Sequence, residues 1–301
     1  MTLRPDLPVW RSLLFVPAIA RKFVEGAASR GADGVILDLE DSVPPAEKPR
    51  ARTLLQEAAE IVSRGGADVL VRINRPLRLA IPDIEAAISP RVQALVLPKV
   101  ESANHLRLLA EAIDEIEAER GMAAGATKLL AMVETAEAFF EMPEIARAHP
   151  RVVALTLGAE DFALSVGMLP EAEGLFFPKQ QMIIAARAAG ILPMGFLGTV
   201  ADFHDLAAFR ATIQRSRRLG FLGAACIHPS QVAILNEEYA PQAGDVVQAE
   251  RVVGAYEKAT AQGVGAITVD GKMIDVPVVE RARALLARHR AIQGREAKRP
   301  R

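Results

Sequence analysis

Short apolar runs return along the chain at intervals, separated by stretches in which apolar positions recur every three or four residues. The clearest runs are "SLLFV" (12–16), "GVILD" (34–38), "VLVRI" (69–73), "ALVLP" (94–98) and "LLAMV" (129–133). "VVALTL" (152–157), "ILPMGFL" (191–197) and "AACIH" (224–228) bring the number to eight. Runs that stay apolar at consecutive positions, rather than alternating, predict strands buried on both faces, as in a parallel sheet. Between them, "ANHLRLLAEAIDEIEAER" (103–120) sets Leu106, Leu109, Ile113 and Ile116 on one face with charge opposite, which predicts an amphipathic helix. Eight strands alternating with helices predict an α/β fold, a TIM (β/α)8 barrel, with a doubly wound open sheet as the alternative.

About seventy of the 301 residues follow the eighth run, more than a closed barrel needs. "AGDVVQAERVVGAYEKATAQG" predicts a further helix, "AITVDGKMIDVP" a hairpin or turn, and "VVERARALLARHRAIQ" a terminal helix. The expected organisation is a barrel over 1–235, an appended segment over 236–292, and a solvated, disordered basic tail over 293–301 ("QGREAKRPR").

Composition narrows the partners. The 36 basic residues nearly balance 37 acidic ones, which recommends neither a nucleic-acid nor a membrane surface. There is no run of eighteen apolar residues and no charged-then-apolar leader, so a soluble cytoplasmic protein is expected. A single cysteine, Cys226, excludes an intrachain disulfide or a thiolate metal cluster and leaves hard, oxygen-bound cations. No "GxGxxG" after a strand, no "GxxxxGK[ST]" and no "GxSxG" is present, so a dinucleotide fold, a P-loop and a serine-hydrolase elbow are all unsupported.

In a barrel, chemistry gathers where the strands end. That position holds Asp38, Glu40 and Asp41 after the second run, Arg72 and Asn74 at the third, Lys99 after the fourth, Glu134 after the fifth and Asp161 after the sixth. Glu134 and Asp161 come from neighbouring strands. As a pair, with substrate oxygens and water completing the shell, they suit Mg²⁺; the plainer alternative is that each caps the helix that follows it. Arg72 ends an otherwise apolar strand, where burial demands a carboxylate partner. Glu40 or Asp41 can supply one while the same guanidinium also holds a substrate carboxylate, so "DLED" positions cations rather than moving protons. His228, at the end of the eighth run, is either an acid–base group or a packed strand-end residue. His105, His149, His204 and His289 read as surface.

The motifs "RSLLFVP" (11–17), "DGVILDLEDSVPPAEKPRAR" (33–52), "VRIN" (71–74), "LPKVES" (97–102), "VETA" (133–136), "GAEDF" (158–162), "IHPSQV" (227–232) and "DGKMIDVPVVERA" (270–282) together resemble the citrate lyase β-subunit-like branch of the HpcH/HpaI aldolase family, in order from residue 11 to about 285. The resemblance implies a Mg²⁺-dependent barrel, a homotrimer or hexamer with its C-terminal extension as a lid. Such a barrel cleaves or forms a carbon–carbon bond in a malyl-, citramalyl- or citryl-type 3-hydroxyacyl-CoA, giving acetyl-CoA and a 2-keto acid. By position it makes Glu134 and Asp161 the metal ligands and Arg72 the grip on the keto acid. It also makes Asp275, in "MID", an acid–base group reaching a neighbouring subunit's site. Without the resemblance, Asp275 is a turn residue before Val276 and Pro277. Arg11, Arg21, Lys22 and Lys48 are the expected contacts to the CoA phosphates. Two alternatives stay open: a thioesterase on the same substrates, and a β subunit working on an acyl-carrier-protein thioester in a citrate lyase complex. The chain departs from the family's pattern over "LPMGFLGTVADFHD" (192–205) and "GAACIHP" (223–229), where relatives carry an "AID" and a Gly-Lys pair; this bears on substrate identity.

Overall fold

Eight parallel strands form one sheet in the order β7-β6-β5-β4-β3-β2-β1-β8, with consecutive strands adjacent except at the seam. They are β1 (Ser12–Pro17), β2 (Gly34–Asp38), β3 (Asp68–Arg72), β4 (Val92–Leu97), β5 (Lys128–Val133), β6 (Val152–Leu157), β7 (Leu192–Met194) and β8 (Ala224–Cys226). A parallel bridge between Met194 and Gly223 joins β7 to β8 and closes the sheet into the expected barrel rather than an open sheet. The structure, a computed structural model, describes residues 3–199, 204–263 and 265–299.

The continuous apolar runs resolve into two faces. Leu14, Val16, Val35, Leu37, Val69 and Val71 point outward into the layer beneath the helices. Leu13, Ile36, Leu70, Val96, Leu130 and Met194 fill the interior. Because both faces are buried, every position is apolar, and the period of two vanishes from the sequence. The charged residues at the strand ends continue the inward series, Asp38 after Ile36 and Arg72 after Leu70, and so enter the mouth of the barrel.

The outer layer consists of α1 (Arg21–Ala27), α2 (Lys48–Ser63), α3 (Leu77–Ala87), α4 (Ala103–Glu119), α5 (Ala136–Phe140), α6 (Met142–Ala146), α7 (Ala159–Val166), α8 (Ala172–Ala188), α9 (Leu206–Leu219) and α10 (Ser230–Glu238). α4 matches its expected span. Ser102 caps it by accepting from the His105 N–H at 3.3 Å, and Leu106, Leu109 and Ile113 are buried. Each such aliphatic side chain contributes roughly 1.5–3 kcal/mol on burial.

Two strands are shorter than expected. β7 keeps three residues of 191–197, since Pro193 offers no N–H to a ladder and Gly195 turns to φ +128°. β8 ends before Ile227, where the chain turns into α10.

Contacts divide the chain between Tyr239 and Ala240, four residues beyond the expected 235/236. In the second unit α11 (Ala243–Thr260) and α12 (Val276–Glu296) pack Val246 and Ala249 with Leu286. The hairpin of β9 (Ile267–Val269) and β10 (Lys272–Ile274) turns at Asp270-Gly271, both at positive φ, as a two-residue hairpin turn requires. The stretch expected to start a disordered tail at 293 is helical through Glu296. Residues 200–203 of the departing segment and residues 300–301 of the tail lie outside the described residues. No helix among the described residues is long and apolar enough to cross a membrane.

Candidate active site

The "DLED" segment (38–41) carries the chain out of β2 in negative charge because two cations meet it. Asp38, 1% exposed, takes Arg72 in a two-pronged pair, Nε to Oδ1 at 2.7 Å and Nη2 to Oδ2 at 2.8 Å. Asp38 also accepts the backbone N–H groups of Glu40 and Ser42. Burial alone would raise the Asp38 carboxyl, but Arg72 overrides it and holds the group below its usual value. Arg72 is correspondingly held above its usual value despite its own burial. Its guanidinium stacks over the Phe15 ring, 4.8 Å from the centroid. Asp38 is thus the main anchor of Arg72, where Glu40 or Asp41 was expected; those two lie 3.0 and 3.4 Å from Nη1.

Glu40 bridges to a second cation, accepting from the Lys99 ammonium at 3.0 Å. That ammonium also lies 3.9 Å from Asp41 and 3.8 Å from Asp161. Lys99 sits at φ +48°, a left-handed conformation that a lysine rarely adopts. The turn aims its backbone N–H at Glu134 Oε2, 2.6 Å away.

Neither expected helix cap is formed by the two acids. Thr135, not Glu134, caps α5 by accepting from the Ala138 N–H, and Asp161 lies inside α7, which has no side-chain cap. Glu134 is instead 4% exposed beneath the mouth, and burial pushes its carboxyl up to about 7 against the pull of the Lys99 N–H; Asp161 and Glu40 add to the rise. Gly158 allows this close approach, since a Cβ there would sit 2.7 Å from Glu134 Cγ. A buried carboxylate crowded by other carboxylates is what a divalent cation would relieve. Among the described residues no group of three or more His, Cys, Asp or Glu converges as a ligand set. Two carboxylates fit a hard cation that keeps water and substrate oxygens in its shell.

A cavity of about 260 Å³ opens here, with Asp41, Arg72, Glu134 and Asp161 on its wall and interior side chains of the barrel beneath. A second, of about 660 Å³, lies between β1, α1 and the residues after β8, lined by Lys22, Arg30, Phe23, Ile227 and His228. Arg72 and Phe15 border both.

The expected phosphate contacts scatter. Lys22 lines the larger cavity. Arg21 is on the surface, paired with Glu25 and Glu57. Lys48 donates to the main-chain carbonyls of Leu39 and Glu40, fastening the "DLED" loop, and burial lowers its pKa. Arg11 precedes β1 and so belongs to the opposite end of the barrel, where it is 3% exposed and paired in two-pronged fashion with Asp33; a residue placed there contacts nothing at the mouth. Asp275 caps α12, accepting from the Val278 N–H at 3.3 Å. His228 accepts from Ser230 through Nδ1 and is exposed. His105 is half-buried rather than on the surface.

Sequence reading missed two cavity residues. Arg30 carries no local signal. Lys179, a lysine between the apolar halves of "GLFFPKQQMII", did carry one: it is 4% exposed, donates to the carbonyls of Phe196 and Gly198 at 2.5 and 2.6 Å, and burial lowers it to about 7.

The family model of HpcH/HpaI aldolase/citrate lyase matches residues 11–229. The citrate lyase subunit beta of Leuconostoc mesenteroides subsp. cremoris is 35% identical over 92% of this chain and 92% of its own. The L-malyl-CoA/beta-methylmalyl-CoA lyase of Rhodobacter capsulatus is 33% identical over 92% and 93%, and a (3S)-malyl-CoA thioesterase of Cereibacter sphaeroides 32% identical over 94% and 95%. Among solved structures, CitE from Mycobacterium tuberculosis in complex with magnesium, acetoacetate and coenzyme A superposes with a TM-score of 0.72 at 29% identity, over 94% of this chain and 98% of that one. Fold, mouth chemistry and near-full-length similarity converge: the chain is an enzyme of the HpcH/HpaI aldolase/citrate lyase family.

Proposed function

We propose that the protein is a Mg²⁺-dependent carbon–carbon lyase that cleaves a malyl-, citramalyl- or citryl-type 3-hydroxyacyl-CoA to acetyl-CoA and a 2-keto acid. The observation that carries this reading is the buried Glu134 beside Asp161, facing Lys99 and Arg72 at one mouth.

Glu134 and Asp161 would hold Mg²⁺, which supplies Lewis acidity to the hydroxyl and carboxylate oxygens of the substrate. Arg72, preset by Asp38, offers its remaining N–H donors on Nη1 and Nη2 to the substrate carboxylate. Lys99 adds positive charge where the hydroxyl becomes a ketone. As the carbon–carbon bond breaks, its electron pair moves onto the thioester as an enolate, the hydroxyl passes its proton to water at the open mouth as its C–O bond becomes the ketone, and the departing carbon takes up a proton. Asp275, supplied by a neighbouring subunit, is the acid assigned to that carbon. The larger cavity, with Lys22 and Arg30 at its edge, suits the phosphates of CoA. Phe140 on α5, Leu164 on α7, Phe177 and Ile184 on α8, and Leu169 between α7 and α8 are exposed apolar side chains of the kind that oligomers cover, in keeping with a homotrimer or hexamer. The balanced charge supports a cytoplasmic enzyme without nucleic-acid or membrane partners.

The test is mass spectrometry of products from purified protein with malyl-, citramalyl- and citryl-CoA, with and without chelator. Metal-dependent acetyl-CoA and keto acid establish the lyase. Free CoA with an intact hydroxy acid establishes instead the thioesterase reading, which the similarity to a malyl-CoA thioesterase favours as the second possibility. No turnover of any of the three points to a subunit acting on a carrier-bound thioester.

A further inference from the structure

The smaller cavity does not end at the charged mouth. On β5, Met132 and Leu130 lie two and four residues before Glu134 on the same inward series, and both line it; so does Ile36, two residues before Asp38 on β2. Leu13, Val96 and Met194 join them, all part of the buried apolar interior. The space beside Glu134 therefore runs down into a hydrocarbon-lined recess, with Ala225 and Gly195 leaving room on the β7–β8 side. Its volume of about 260 Å³ compares with ~30 Å³ for one water's share of the liquid, enough for a keto-acid head and an alkyl group beyond it.

The cations bordering this cavity, Arg72 and Lys179, and Lys99 beside them are already engaged. Arg72 and Lys99 are held at the mouth by Asp38 and Glu40. Lys179, on the β6–β7 side, turns its ammonium to the carbonyls of Phe196 and Gly198. A second carboxylate pushed into the recess would lose its water and meet methyl and thioether groups, which is unfavourable, whereas an alkyl group there gains by leaving water.

Resting on the lyase reading above, we propose that this recess selects substrates whose 2-keto-acid half carries a short alkyl group, and rejects those whose group ends in a second carboxylate. Hydrogen at that position would leave the recess unfilled. A methyl to isopropyl group would fill it.

The experiment is isothermal titration calorimetry of the full chain with Mg²⁺ present, using glyoxylate, pyruvate, 2-oxobutyrate, 3-methyl-2-oxobutanoate and oxaloacetate. Affinity should rise by roughly tenfold per added carbon from glyoxylate to 2-oxobutyrate, the discrimination a hydrophobic pocket gives per methylene. Oxaloacetate should bind at least about tenfold more weakly than 2-oxobutyrate. A flat series, or oxaloacetate as tight as 2-oxobutyrate, overturns the proposal while leaving the lyase reading intact. Ala225→Leu, which fills the recess, should weaken 2-oxobutyrate more than glyoxylate; an equal loss for both counts against it. The graded series without cleavage of any CoA thioester upholds the recess and removes the lyase. Absence of binding by every keto acid removes both.

Discussion

Lys99 touches Glu134 through its backbone and Glu40 through its side chain: the N–H reaches Glu134 Oε2 at 2.6 Å while the ammonium reaches Glu40 at 3.0 Å. One residue in a left-handed turn thus separates two tasks, orienting a candidate metal ligand and countering its charge. Lys99→Met removes only the second. Its kcat/KM should fall by about 10²–10³, the scale of losing one electrostatic stabiliser, while Mg²⁺ affinity measured by calorimetry holds or tightens. A large loss of Mg²⁺ affinity would show that the side chain, not the turn, arranges Glu134.

Asp38 has no access to water that could replace Arg72, and Arg72 has little access to water that could replace Asp38. Asp38→Ala leaves the guanidinium half-buried without its main partner and should cost about 3–5 kcal/mol in urea unfolding. A change under about 1 kcal/mol would mean Glu40 and Asp41 can hold Arg72 without it.

Gly158 makes the metal site testable without altering any charge. Mg²⁺ at a hundred times its Kd should stabilise the native protein by about 2.7 kcal/mol, seen as a rise in Tm that a chelator reverses. Glu134→Gln should abolish that rise. Gly158→Ala should diminish it, because the new methyl group crowds Glu134. An unchanged Mg²⁺ response in both variants would place the metal elsewhere.

Lys179 gives stability a pH dependence of known sign. Burial holds it down to about 7, below the ~10.4 of an unfolded lysine. Between those values the unfolded chain binds a proton that the folded chain does not, so its contribution to stability is lost as pH falls through that window and levels off below 7. Relative to Lys179→Met, the wild type should gain up to roughly 1.4 kcal/mol per pH unit between pH 7 and 10 in urea midpoints. Parallel pH profiles would mean that the buried ammonium stays charged throughout.

Asp275 acting in a neighbour's site is open to complementation. Arg72→Ala and Asp275→Ala should each be inactive alone, yet mixed and reassembled subunits should recover part of the activity, because some sites then combine an intact Arg72 with an intact Asp275. No recovery after confirmed subunit exchange would assign both residues to one chain.

The barrel could be read from the sequence because eight apolar runs leave few other topologies, and the mouth because its charged residues terminate those runs. Asp38 was visible, but its bond to Arg72 was not: at this register Asp38 and Arg72 are paired neighbours across β2 and β3, and register is a long-range property. Arg11 was a misfit already legible in the sequence, since the run at 12–16 sets it before β1 and so at the end of the barrel opposite the mouth. Lys179 escaped because it comes from the middle of α8, not from a strand end. The tail looked disordered by charge from 293, yet α12 runs on into its first residues and ends at Glu296.

The seam of the barrel has a meaning for what the barrel can accept. β7 and β8 are three residues each and meet through a single bridge, while β2 to β5, which lead into Asp38, Arg72, Lys99 and Glu134, are held by ladders of four or five residue pairs on both sides. Substitutions along the two short staves can reshape one wall of the recess without disturbing the charged rim. A barrel built on this plan can therefore change the shape of what it accepts at the seam while the charged rim keeps its arrangement.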